Sequence, residues 1–272
     1  QSRIHGGAQD SRTVNVFIDG VSQKDFVLKN GITGQDSSEG NPFPQLAVGE
    51  YRVISSNYQA EFDQVSSVAI TAVTKSGTNE FHGEGFFDYT DQNLRQKFPT
   101  EIFNKQDKVE TKTMQFGGAL GGPIIKDLMH FFVSYEGKRI QRPVDVFPGG
   151  GIQPSALPAQ YQDGFGLFNS EFNENLYFGK IDLVPTDSDL FEVTAKYRDE
   201  TGRSGGGGVA LQETQTLTEV DELRLLGRWQ HTADNWINDL RVSYADVSWS
   251  PQPANIEIGK VFRATVQGTT AT

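Results

Sequence analysis

Residues 191–198 read Phe-Glu-Val-Thr-Ala-Lys-Tyr-Arg, a strict alternation of apolar and polar side chains. Successive side chains of a β-strand point to opposite faces, so this stretch predicts a strand with one apolar face and one polar face. A slip of one residue in its pairing would exchange the two faces, which makes its register strongly specified. The fold prediction rests on this pattern and its recurrence.

The same period of two recurs in six other segments, whereas helical periodicity is hard to find. These segments begin near Phe81, Met114, Met129, Tyr177, Leu223 and Leu240. Together with residues 191–198 they predict seven antiparallel strands of roughly ten residues each. No apolar run approaches the ~18 residues that a membrane-spanning helix needs, which excludes a helical membrane protein.

Short and long connections alternate strictly along the predicted strands. Tight turns are expected around Pro123, Pro185 and Asp234, and long connections are expected over residues 91–111, 141–173 and 200–215. Outer-membrane β-barrels have short periplasmic turns and long outer loops, so this alternation favours a membrane β-barrel. The alternative is a soluble β-sandwich with three long insertions.

Aromatic residues are placed in a way that fits a barrel. Six of them lie at or near predicted strand ends, where interfacial girdles are expected: Tyr89, Tyr135, Tyr197, Trp229, Tyr244 and Trp249.

Composition excludes several classes of function. The 272 residues are 36% hydrophobic and 11% aromatic, carry a net charge of −11 and include no cysteine. Disulfides, thiolate metal sites and cysteine nucleophiles are therefore excluded. The acidic balance argues against nonspecific nucleic-acid binding, which needs a basic surface.

No catalytic, metal or cofactor site is predicted. The four histidines have no ligand spacing, and His82 and His130 are expected to line the polar side of their strands. The glycine run at residues 205–208 lacks the lysine and the strand-to-helix context of a phosphate loop, so it predicts a flexible connection. We therefore expect a protein that is not an enzyme.

The first 80 residues differ from the rest. Short strands are expected over residues 14–20, 50–54 and 68–74, separated by Gly- and Ser-rich loops. These predict a small mixed domain over residues 1–80, with a boundary within residues 75–80. The long hairpins then occupy residues 81–272.

Five motifs lie around this junction: FIDG (Phe17 to Gly20), VISSNYQAEF (Val53 to Phe62), TKSGTNEFHGEGFF (Thr74 to Phe87), FGGALGGPIIKD (Phe116 to Asp127) and HFFVSYEGKR (His130 to Arg139). With these motifs the sequence resembles the TonB-dependent outer-membrane receptors, most closely their Oar-like branch. The resemblance implies an N-terminal mixed α/β plug inside a transmembrane antiparallel barrel of about 22 strands. Residues 1–80 would then be the C-terminal part of the plug, and residues 81–272 the N-terminal strands of the barrel.

The resemblance also implies location and partners. It implies the outer membrane of a Gram-negative bacterium, contact with its lipid, and an inner-membrane TonB-type energising complex reached through a segment outside this chain. The polar start at Gln1 to Asp10 predicts no signal peptide, and neither a TonB-contacting box nor a terminal barrel strand is recognisable. We therefore expect an internal part of a longer protein.

Three functions remain open on the sequence. The first is energised import of a bulky solute, unidentified here, through a plugged barrel. The second is an Oar-like role in surface assembly, protein export or adhesion. The third is a soluble β-domain that binds a carbohydrate or a protein.

Overall fold

The computed structural model describes residues 13–25, 32–33, 38–56, 62–63, 65–97, 99–103, 105, 107–255, 264–266 and 269–271. His5 and residues 57–61 of the VISSNYQAEF motif lie outside the described residues. Most of the described chain is β-strand, arranged in a four-stranded sheet and a seven-stranded sheet.

The four-stranded sheet lies in the N-terminal part of the chain. It comprises β1 (Val14–Ile18), β2 (Val21–Ser22), β3 (Val48–Ile54) and β4 (Val68–Thr74), in the order β2-β1-β4-β3. Strands β1 and β4 are parallel and the other pairs are antiparallel. The three short strands predicted for this part of the chain are confirmed as β1, β3 and β4. Its buried apolar side chains come from β1 and β4.

The seven-stranded sheet follows. Its strands are β5 (His82–Asp91), β6 (Lys112–Ile125), β7 (Met129–Val146), β8 (Gly166–Thr186), β9 (Asp189–Ser204), β10 (Thr216–Thr232) and β11 (Ile237–Pro253). Each strand pairs antiparallel with the next one along the chain. The sheet is therefore the predicted all-β meander, with β5 and β11 at its edges within the described residues.

Most strands are longer than predicted. Strand β5 has the expected 10 residues, but β6 has 14 and β8 has 21. The predicted loops over residues 141–173 and 200–215 were too wide, because β7, β8 and β9 continue into them through stretches that lack a strict hydrophobic alternation. The predicted turn at residues 122–127 was likewise too wide, since β6 runs to Ile125.

The alternation of connections is confirmed. Residues 126–128, 187–188 and 233–236 form the short turns, and residues 92–111, 147–165 and 205–215 form the long connections. The long connections include the short helices α1 (Pro99–Phe103) and α2 (Ala159–Gln162). A last hairpin, β12 (Ala264–Val266) with β13 (Thr269–Ala271), was not predicted. None of the helices in the described ranges is long and apolar enough to cross a membrane.

The two faces of the large sheet differ as predicted for residues 191–198. Val193 is 61% exposed on the outer face, whereas Thr194 is 9% exposed on the inner face. Cross-strand partners share a face, so the register extends this assignment over the sheet. One outer row is Gly118, Tyr135, Tyr177, Tyr197 and Leu223.

Two expectations for the aromatic residues were wrong. Tyr135 and Tyr197 lie in the middle of β7 and β9, because both strands continue beyond the apolar band. Trp249 pairs with Val220, whose side chain is buried on the inner face, so Trp249 faces inward and belongs to no outer girdle. Its position near the strand end gave no information about its face.

Glycines in the motifs allow close contacts between the two sheets. A Cβ atom on Gly77 would lie 2.3 Å from the carbonyl oxygen of Phe131 and 2.8 Å from that of Gly122. A Cβ atom on Gly122 would lie 2.3 Å from the Phe81 ring. The connection between the sheets therefore crosses directly over the β6–β7 hairpin, which only glycine permits at these points.

Candidate functional site: the inner wall and the inner segment

Charged side chains are buried on the inner face of the large sheet. We call the inward face of β7 to β10 the inner wall, and residues 38–47 the inner segment. The wall's most deeply buried charges are Glu136, Glu174, Lys196, Arg198, Glu200 and Glu222. All occupy even-numbered positions, which face inward on these four strands. Buried charges are costly unless paired and hydrogen-bonded, and here the inner segment supplies many of the partners.

Two wall glutamates bind the main chain of the inner segment. Glu136 accepts hydrogen bonds from the backbone N–H of Gln45 at 2.8 Å and from Asn41 Nδ2 at 2.9 Å. Glu174 accepts one from the backbone N–H of Asn41 at 3.0 Å. Gln115 of β6 donates to Glu136 at 2.7 Å. The backbone N–H groups of a loop lack the partners that a helix or sheet provides. The two carboxylates accept hydrogen bonds from such N–H groups of the inner segment.

Both acidic and basic side chains of the inner wall bind the beginning of the inner segment. Ser38 donates its hydroxyl to Glu200 at 2.7 Å and accepts a hydrogen bond from Arg198 at 2.9 Å. Glu39 forms an ion pair with Arg142 at 2.6 Å, and Lys138 donates to its backbone carbonyl at 2.7 Å.

The middle of the inner segment combines polar and apolar contacts. Lys196 donates to the carbonyl of Pro42 at 2.8 Å and pairs with Glu222 at 2.9 Å. The Phe43 ring packs edge-on against Phe178, with centroids 5.2 Å apart. Ala47, which is fully buried, joins the same cluster with Phe132 and Phe178. These contacts exclude water around the charges.

A second set of charges lies nearer the short turns. Lys180 pairs with Glu192 at 2.6 Å and approaches the Thr74 hydroxyl at 3.5 Å. Arg228 binds Glu192 at 2.6 Å and Asp239 at 3.0 Å. Because Thr74 ends β4, this set links the wall to the four-stranded sheet.

The loop after β4 is fixed to the β6–β7 turn. Asn79 donates to Asp127 at 2.6 Å and accepts from the backbone N–H of Asp127 at 2.8 Å. His130 Nε2 lies 2.8 Å from the same Asn79 oxygen. His130 therefore lies on the inner face as expected, as does His82, whose partner across the strands is Gly121.

The arrangement holds a protein segment, to which the carboxylates of Glu136, Glu174 and Glu200 are hydrogen-bonded. Sequence reasoning placed the wall charges on polar faces but missed their partner. Residues 38–47 have no periodic pattern, and their contacts join residues about a hundred positions apart, such as Asn41 and Glu136. In the described ranges, no three His, Asp or Glu side chains are grouped closely enough to bind a metal.

The architecture of the described residues is shared with known outer-membrane proteins. The chain has the architecture of the TonB-dependent outer-membrane receptors: a plug-like mixed sheet followed by strands of an antiparallel transmembrane barrel. Residues 73–148 match the family model described as an outer membrane beta barrel domain. The localisation is therefore the bacterial outer membrane.

Within that class the chain is similar to Oar. It is 32% identical over 138 residues to the TonB-dependent transporter Oar of Myxococcus xanthus. The matched region covers 47% of this chain and 13% of Oar. Two solved structures share the fold. The transporter YddB of Escherichia coli has a TM-score of 0.60 at 11% identity, over 87% of this chain and 31% of YddB. The ferric enterobactin receptor PfeA of Pseudomonas aeruginosa has a TM-score of 0.57 at 15% identity, over 87% of this chain and 33% of PfeA.

The matched part of the chain thus spans a third or less of the length of each of these relatives. Their names are those of transporters and receptors.

Proposed function

We propose that this chain is part of an outer-membrane receptor that imports a bulky solute through a plugged β-barrel. In this proposal residues 1–80 are the C-terminal part of the plug and residues 81–272 are the first barrel strands. The observation that supports it is the binding of residues 38–47 to the inner wall, because a barrel with a filled interior needs regulated opening to pass a solute.

The energy for opening would come from a TonB-type complex of the inner membrane. The relative Oar is TonB-dependent by name, and plug residues held by several charge-assisted hydrogen bonds need an input of energy to leave the wall. The role we propose includes no catalytic step and no cofactor.

The test compares uptake in three strains: wild type, a strain lacking the gene of this receptor, and a strain lacking TonB. Depletion of medium components is followed by mass spectrometry. We expect one class of solute to remain in the medium in both deletion strains. A solute that the TonB-deficient strain takes up normally, but the receptor-deficient strain does not, would contradict energised import.

The similarity to Oar favours a second candidate, in which the barrel serves surface assembly, protein export or adhesion. Here the receptor-deficient strain would lose a set of surface proteins while its uptake stayed normal. Surface proteomics on the same three strains separates the two functions.

A further inference from the structure

A shallow apolar groove lies on the outer face of the large sheet, with a volume of about 630 Å³. Gly179 and Ala195 are cross-strand partners at its floor, directly beneath the larger pair Tyr177 and Tyr197. Val133 and Leu223 bound its sides. We call it the outer groove. On the lipid-facing side of a barrel, such a groove admits an acyl chain below the row of tyrosine rings.

A cation lies at the upper rim of the outer groove. Arg139 and Tyr135 both donate to the side-chain oxygen of Asn175, at 2.6 Å and 3.0 Å. The guanidinium also lies 5.8 Å from the centre of the Phe116 ring, on the same outer face. Arg139 is therefore held immediately above the tyrosine row.

The charge of Arg139 is not neutralised by its hydrogen-bond partners. Its other two bonds go to the backbone carbonyls of Lys138 and Glu174, so all three acceptors are neutral oxygens. Further along the rim, Asn175 donates to Asp199 at 3.0 Å and Tyr197 donates to Asp221 at 2.9 Å. These two carboxylates repel an anion, which confines any anionic group to the Arg139 end of the groove.

We propose that the outer groove binds one acyl chain of a phosphorylated lipid of the outer leaflet, and that Arg139 binds the phosphate of that lipid. Arginine matches phosphate because its planar guanidinium presents paired N–H donors. In the orientation that the short turns and long connections predict, this rim lies at the outer side of the membrane, where a lipid phosphate lies just above its chains. The inference goes beyond the transport role, because it requires only a barrel embedded in lipid.

The first test fills the groove. A Cβ atom on Gly179 would have its nearest neighbour, Val133 Cγ1, at 4.0 Å, so Gly179→Leu fits the strand and occupies the floor. The matched control is Gly227→Leu, on the outer face of β10 away from the groove, where a Cβ atom meets nothing within 4 Å. The complete protein is purified in mild detergent, and bound lipid A is counted by native mass spectrometry.

We expect Gly179→Leu to weaken lipid A binding by roughly tenfold, which corresponds to about 1.4 kcal/mol, and Gly227→Leu to leave it within about twofold. Equal losses in both variants, or none in Gly179→Leu, would overturn the groove assignment. So would a second copy of the chain, or an unrelated protein, bound at the groove in place of lipid.

The second test removes the cation. Wild-type protein should prefer bisphosphorylated lipid A to the dephosphorylated lipid by about tenfold or more, as expected for a charge-assisted hydrogen bond. Arg139→Gln should abolish that preference while still binding the dephosphorylated lipid. Arg203→Gln, on the outer face of β9 farther from the groove, should retain it. The phosphate site would be refuted if Arg139→Gln kept the preference for the phosphorylated lipid. It would also be refuted if detergent displaced the phosphorylated and the dephosphorylated lipid equally well.

Discussion

Neighbouring residues on one strand of the large sheet face opposite sides, one toward lipid and the next toward the barrel interior. Lysine at a lipid-facing midplane position costs about 2–4 kcal/mol, whereas interior positions tolerate polar side chains. Val193→Lys should therefore sharply reduce the amount of assembled barrel, and Thr194→Lys should reduce it much less. Heat-modifiable migration of the complete protein on a gel measures this, and the prediction is wrong if Thr194→Lys is the more damaging change.

Gly77 provides a second residue-scale prediction. Any Cβ atom there overlaps the backbone of the β6–β7 hairpin, which cannot shift without breaking strand pairing. Gly77→Ala should therefore lower the yield of folded protein severalfold, a cost in the range of core overpacking, about 1–3 kcal/mol.

Gly227→Ala is the control for Gly77→Ala, since its Cβ atom meets open space. Equal yields of the two variants would show that the connection between the sheets adapts to a side chain.

The inner segment is the element whose position depends most on one side chain. Glu136 receives three donors, from Gln45, Asn41 and Gln115. Two of these donors belong to the inner segment, and hydrogen bonds to a charged group contribute about 1.5–3 kcal/mol each, so Glu136→Ala should loosen residues 41–45 from the wall while leaving strand pairing intact. We expect increased sensitivity of cells to large hydrophilic antibiotics, at unchanged amounts of the protein in the membrane.

The control is Glu219→Ala, an exposed glutamate on the outer face of β10. If Glu219→Ala sensitises cells as much as Glu136→Ala, the effect does not come from the inner segment.

The elements also show how far sequence could predict this structure. Alternation fixed the faces of β9 and the presence of seven strands, because lipid on one side forces a period of two. It underestimated β8, whose outer face is polar from Asn169 to Asn175 and has no such pattern. The docking of the inner segment depends on contacts between distant residues, for which a single sequence contains no local signal.

The whole molecule has an orientation that can be measured. If the long connections face the exterior, protease added to intact cells should cleave within residues 147–165 or 205–215. The turn at residues 187–188 should be cut only after the outer membrane is permeabilised. Cleavage of that turn in intact cells would reverse the topology.

The long connection over residues 205–215 is hydrogen-bonded to the end of β7 and to the start of the long connection over residues 147–165. Gly208 donates its backbone N–H to the Asp145 carbonyl at 2.8 Å and accepts from Phe147 N–H at 2.8 Å. Residues 205–208 all adopt positive φ angles, from 62° to 89°, which only glycine adopts readily. Gly208 of the glycine run is thus hydrogen-bonded to the end of β7, a contact that its composition does not predict.

The way in which the wall binds the inner segment has a consequence for sequence divergence. Pro42 and Gln45 are bound through their main-chain carbonyl and N–H, which every substitution at Pro42 and every non-proline substitution at Gln45 preserves. Relatives should therefore vary freely at these two positions while retaining the acid at Glu136 and the base at Lys196. Exchange of Pro42 and Gln45 for the residues of distant relatives should leave the inner segment docked, because those two wall charges bind only its main chain at these positions.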